Sequence, residues 1–166
     1  MKDRSYAPLP GPGLDRERLT FTITRYPGRG LARREVDTAA SQAAAAWAHS
    51  GLRLRQVRTG KADIEVRVCE DCLAAASAGL PTTGKAEIVG PARDCRISVD
   101  SRAGWAGQGA GLDLTRELAH QLGHCLGLPH SPSPASLMFP LARRPGHAPA
   151  TPSHQDFADL AALLGK

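Results

Sequence analysis

The chain has 166 residues, 42% of them hydrophobic and only 4% aromatic, with a formal charge of +5. That length suits one domain with a real core, built from Val, Ile, Leu and Ala around a few rings. The positive charge is spread over scattered arginines, which argues against a nucleic-acid role, and no apolar run approaches the roughly 20 residues that span a bilayer.

Residues 1–18 carry Pro8, Pro10, Gly11, Pro12 and Gly13 before a charged Asp15-Arg16-Glu17-Arg18. They read as an extended arm without an apolar signal core, leaving residues 19–166 as a single domain. Leu19 to Tyr26 alternates Leu, Phe and Ile against Thr, the period-2 pattern of a half-buried strand. From Arg33 to Ser50 the chain is alanine-rich, with Val36, Ala40, Ala43 and Trp47 at helical spacing, so a long helix lies on the sheet by its small face with Trp47 as a core anchor. His49 near its end suits the helix dipole. Strands follow at Leu52 to Arg58 and Asp63 to Val68, an order that favours an α/β sandwich. After a loop from Cys69 to Gly84, with a possible helical turn, Lys85 to Val89 reads as an edge strand and Cys95 to Asp100 as another strand.

Asp113 is placed to cap a second helix that turns Leu114, Leu118 and Leu122 to the core and His120 and His124 to a cleft. The two histidines are four apart and share a face, so both imidazoles can reach one ion. Gly127 lets the chain leave the helix sharply, and His130 can swing back to the same ion, completing H-x-x-x-H-x-x-G-x-x-H. Three histidines with an open fourth position describe a catalytic zinc site. Gln121 follows the first histidine, where a hydrolase of this design needs a glutamate. A last helix begins at Ser153, with Phe157, Leu160, Leu163 and Leu164 inward and Gly165 as its stop. His147 and His154 read as solvated.

The four cysteines leave more than one pairing open. Cys69 and Cys72 form C-x-x-C, which fits a redox pair, half a zinc site or two disulfide partners; a bridge from one of them to Cys95 is preferred. Cys125, about 100° round the helix from His124, reads as a buried free thiol.

The histidine motif, the Ser-Leu-Met-Phe-Pro at residues 136–140, the LTFTIT strand, Trp47, the Ala-Asp-Ile at residues 62–64 and the terminal helix together resemble the matrixin family of the metzincin zinc endopeptidases. The resemblance covers nearly the whole chain from Leu19 onward. It implies a twisted, mostly parallel five-stranded sheet with one antiparallel edge strand, two long helices and a C-terminal helix after a Met-turn. The cleft would run between residues 19–127 above and 128–166 below. Carried over by position, His120, His124 and His130 bind one catalytic zinc, Met138 forms the floor beneath it, and Phe139 and Pro140 line the S1′ wall. The strand of Ala86, Ile88 and Gly90 is the edge to which a substrate peptide adds. The resemblance also implies a secreted protein acting on peptides or proteins; a monomer is expected, and the scattered charge and short apolar runs leave neither nucleic acid nor membrane as an expected partner.

The chain departs from the family's pattern in several places. Ser98 and Ala86 or its neighbour stand where ligands of a structural zinc would be, which argues against that ion. Ser101-Arg102-Ala103-Gly104 replaces the acidic cluster after Asp100, which removes most of the basis for calcium. The neighbouring cysteines could substitute covalently for these ions. No pro-segment with a cysteine switch is expected. Gln121 occupies the general-base position, as expected of either an inactivating engineered replacement or a natural pseudoprotease that binds peptides.

Overall fold

The computed structural model describes residues 17–24, 30–70, 84–89, 94–105, 111–140 and 150–166. Most of the N-terminal arm, the helical turn suggested after Cys69, Cys72, Gly90, His147 and the segment after Leu141 lie outside these residues.

The strand expected from LTFTIT is β1 (Arg18–Thr24), in which Leu19, Phe21 and Ile23 are buried and the threonines between them only partly so. Helix α1 (Arg33–Trp47) buries Val36, Ala39, Ala40, Ala43, Ala44 and Trp47, and its small side chains let its backbone come close to that of the second helix described below. A 3₁₀ turn (Ala48–Ser50) ends it, and the strands β2 (Arg53–Gln56), β3 (Ile64–Cys69), β4 (Gly84–Val89) and β5 (Asp94–Asp100) follow. The sheet order is β2-β1-β3-β5-β4. Every neighbouring pair is parallel except β4 with β5, so β4 is an antiparallel edge strand. Asp63 accepts hydrogen bonds from the backbone N–H and the hydroxyl of Thr20, tying the start of β3 to β1.

Helix α2 (Leu114–Cys125) starts as the sequence suggests, with Asp113 accepting from the Arg116 N–H at 3.0 Å. Leu114, Leu118 and Leu122 lie in the core. Trp47 is fully buried and its indole N–H donates to the Ala119 carbonyl at 2.8 Å, a bond that satisfies its polar edge and fixes α1 against α2. Gly123 marks the tightest point of this packing, because a β-carbon there would strike the Met138 thioether and the Trp47 ring. Gly123→Ala should therefore destabilise the fold by about 1–3 kcal/mol, measured by denaturant unfolding.

Helix α3 (His154–Leu163) has Ser153 and Asp156 as a reciprocal capping box, and Gly165 at φ +70° follows its end. Leu160 is buried and Phe157 and Leu164 pack against the core, but Leu163 is 57% exposed. The expectation that Leu163 faces inward was wrong. The helix lies on the surface along a narrow stripe, and 163 falls off it.

The cysteine expectation also needs correction. Cys95 is bonded to Cys125, and among the described residues no cysteine is a free thiol. With Cys95 committed to Cys125, neither the expected bridge from Cys69 or Cys72 to Cys95 nor the free Cys125 thiol exists, and Cys69 is itself disulfide-bonded. The rotation of about 100° per residue that takes Cys125 off the histidine face turns it onto the sheet, where the fully buried Cys95 of β5 meets it.

Candidate metal centre

Residues 120–130 fold into a three-sided cradle for reasons local to the sequence. His120 and His124 stack one turn apart on α2, with Nε2 atoms 3.1 Å apart. The helix then ends in a Schellman motif: the Leu128 N–H bonds to the Gly123 carbonyl and the Gly127 N–H to the His124 carbonyl, with Gly127 at φ +101°. This reversal returns His130 so that its Nε2 lies 3.3 Å from that of His120. The three ligand atoms all fall within 4.8 Å of one another.

The other ring nitrogens set the tautomers. His120 Nδ1–H donates to the Leu137 carbonyl at 2.8 Å and His124 Nδ1–H to the Leu128 carbonyl at 2.7 Å. Each Nε2 is then a bare lone pair aimed into the cradle. Bare lone pairs repel at such distances unless a cation lies between them. Tetrahedral zinc at roughly 2.0–2.1 Å from each nitrogen sets ligand nitrogens about 3.3 Å apart, close to the 3.1 and 3.3 Å seen here. The donor set therefore fits zinc.

Burial keeps the imidazoles of His120 and His124 neutral. Desolvation holds His120 below the usual imidazole range, opposed chiefly by the charge of Glu117. Desolvation, with His120 adding to it, pushes His124 down to about 2. In the metal-free protein the unfolded chain then takes up protons below pH ~6.5 that the folded chain refuses. Stability is thus complete above that pH and should fall by roughly 1.4 kcal/mol per pH unit for each histidine as acid is added. Melts of metal-free protein at pH 7.5 and pH 5 should differ by several degrees, with the acidic sample lower.

The loop after His130 closes on itself, the Ser131 N–H donating to the Met138 carbonyl at 3.0 Å. Met138 is buried directly beneath Gly123 of α2. A family model described as matrixin matches residues 14–165, nearly the whole chain. The chain belongs to the matrixin family. Human matrix metalloproteinase-27 is 33% identical over 134 residues, which cover 78% of this chain and 26% of the relative. Horse stromelysin-1 is 28% identical over 171 residues, 96% of this chain and 35% of the relative. Human matrix metalloproteinase-26 is 30% identical over 129 residues, 74% of this chain and 48% of the relative. The chain thus spans between about a quarter and a half of the length of these relatives. As a matrixin it carries a zinc metalloprotease domain, and among the described residues a mixed five-stranded sheet and three α-helices are consistent with the family fold.

Three side chains of this matrixin support the centre and escaped the sequence reading. Asp156 of α3 is buried and accepts from the Leu137 N–H, the Ser136 hydroxyl and both the N–H and hydroxyl of Ser153. It pins the Met138 turn to the last helix, and the only sequence signal for it is the Ser-x-x-Asp capping box. Arg116, 2% exposed, donates from one Nη2 to the carbonyls of Leu137 and Phe139 at 3.3 and 3.2 Å. Leu137 O therefore receives both Arg116 and His120, joining the turn and a ligand to one atom. Glu117, also buried, accepts a 2.8 Å hydrogen bond from Gln121 Nε2.

Ala86 is buried on β4 and Ile88 packs partly against the core. Phe139 and Pro140 follow the Met138 turn and are half-buried.

Proposed function

We propose that this matrixin domain binds one zinc ion through His120, His124 and His130 and takes peptides or proteins across it, in a form whose hydrolysis is strongly impaired by Gln121. The observation that carries this reading is the convergence of three Nε2 atoms, those of His120 and His124 left as lone pairs because their Nδ1–H groups are committed to carbonyls. A zinc ion held there supplies a Lewis acid for the scissile carbonyl and acidifies a water.

The chain's own groups do the rest. The edge strand β4, with Ala86 and Ile88, receives the substrate backbone as an added antiparallel strand, and Gly90, carried over by its position in the sequence, is assigned to the same subsite. Phe139 and Pro140 form the S1′ wall, held to α2 by Arg116, and Met138 is the apolar floor. The cleft lies between residues 19–127 and 128–166. Gln121 can hydrogen-bond a water there but cannot take its proton, and general-base catalysis is worth about 10²- to 10⁴-fold. No structural zinc is assigned and calcium has little support, since Arg102 pairs with Glu70 at 2.8 Å where an acidic cluster would be needed. The domain acts as a monomer on peptide or protein partners, with no nucleic acid or membrane partner, and is secreted; among the described residues no helix is long and apolar enough to cross a membrane.

A second reading has an observation of its own. The Glu117–Gln121 hydrogen bond suits an amide at 121 better than a carboxylate, which favours a natural pseudoprotease that holds peptides over an engineered loss of activity. Zinc titration against a chelator tests both readings at once. One equivalent should bind the native chain, and His120→Ala or His124→Ala should weaken it by several orders of magnitude. A native chain that takes up no stoichiometric zinc refutes the proposal.

A further inference from the structure

Glu117 and Gln121 stand one helical turn apart on α2, each only 6% exposed. Gln121 Nε2 donates to Glu117 Oε1 at 2.8 Å. A carboxylate offers only acceptors, so this bond fixes which end of the amide is which: the NH₂ faces Glu117 and Oε1 is the end left for the other side. His124 lies one turn after Gln121, opposite in direction to Glu117. The space for the Glu117 side chain is made by Gly84 at the start of β4, because a β-carbon there would collide with the Glu117 carboxylate. Glu117 is also the strongest charge acting on the ligand His120.

We propose that Glu117 is a positioning residue that locks the Gln121 amide with its carbonyl oxygen toward the metal, so that the site's carboxylate sits one helical turn earlier than the family's general-base position. The inference rests on the zinc reading above for what that oxygen faces, but the lock itself is a property of the metal-free protein. A glutamate at 121 would put two carboxylates at hydrogen-bond distance in a buried place, whereas an amide there is the complement of Glu117. The residues at 117 and 121 are thus a matched pair, and Gly84 is the third member that makes room for it.

A four-way comparison tests this: the native chain, Gln121→Glu, Glu117→Gln, and the exchange carrying both substitutions, each melted without metal and titrated with zinc. Gln121→Glu should lower the melting temperature by roughly 4–8 °C. The exchange should restore it to within about 2 °C of the native value, because the carboxylate–amide pair is reformed in the opposite sense. In ¹⁵N spectra of the metal-free protein, the Gln121 side-chain NH₂ resonances should shift in Glu117→Gln, which a purely space-filling Glu117 would not cause. Additive losses in the exchange variant, or unmoved Gln121 resonances in Glu117→Gln, would overturn the proposal. Should Glu117→Gln fold poorly, the exchange against Gln121→Glu still decides. Failure of the native chain to bind zinc would sink the functional reading while the metal-free comparison still reported on the pair, so the two failures are distinguishable.

Discussion

Gln121→Glu should raise zinc-dependent cleavage of a mixed peptide library by about 10²- to 10⁴-fold over the native chain. The residue follows His120 on α2 and is buried beside the histidines that we propose as zinc ligands, so under that proposal a glutamate there reaches the place where a water's proton must go. The native amide is nearly the same size and shape, which means the replacement changes proton affinity with little change in packing. Because Glu117 Oε1 lies within hydrogen-bond distance of the side chain at 121, the new carboxylate meets a like charge. The single replacement should therefore reach the lower part of the range, and the exchange with Glu117→Gln the upper part. The comparison reads initial rates at equal zinc occupancy. Equal rates in the native chain, Gln121→Glu and the exchange would eliminate the endopeptidase reading and leave a peptide-binding domain.

Periodicity carried most of the fold because β1 alternates strictly, β3 does so over most of its length, and α1 packs by small residues. LTFTIT and the run from Val36 to Trp47 each bury the residues that their spacing picks out. The histidine cradle was legible for a related reason: i, i+4 spacing and one glycine define it locally, without reference to distant parts of the chain. What escaped the sequence depends on where elements come to rest against each other. Arg116 and Glu117 look like ordinary surface charges of a helix start, yet both are buried because the Met138 turn and β4 close over that end of α2. Leu163 followed the apolar pattern of α3 and still faces solvent, since the helix meets the core along one stripe only. Cys95 and Cys125 failed as a prediction because pairing was weighed by nearness in sequence, whereas β5 and α2 are brought together only by the layered packing.

Removing that bridge should have the largest effect on stability. Cys95 lies on β5, between β3 and the edge strand β4, and Cys125 is the last residue of α2, one position after His124. The bond closes a loop with a sequence separation of 30, for which loss of unfolded-chain entropy is worth roughly 3–4 kcal/mol. Both sulfurs are fully buried, so replacing the pair by alanine removes the crosslink without leaving a polar group unsatisfied. The Cys95→Ala/Cys125→Ala protein should melt roughly 6–15 °C below the native chain, at about 2–4 °C per kcal/mol for a domain of this size. Zinc affinity should fall as well, because His124 loses the anchor that holds the end of α2 on the sheet while Gly127 turns the chain toward His130. Non-reducing peptide mapping identifies the bridge, and melts with a chelator separate the loss of the crosslink from the loss of metal. A double variant that melts within 2 °C of the native chain would show that packing alone holds α2 on β5. The predicted drop would instead make this disulfide the covalent link between the sheet and the histidine cradle, at the one end of α2 where neither Arg116 nor Asp113 can act.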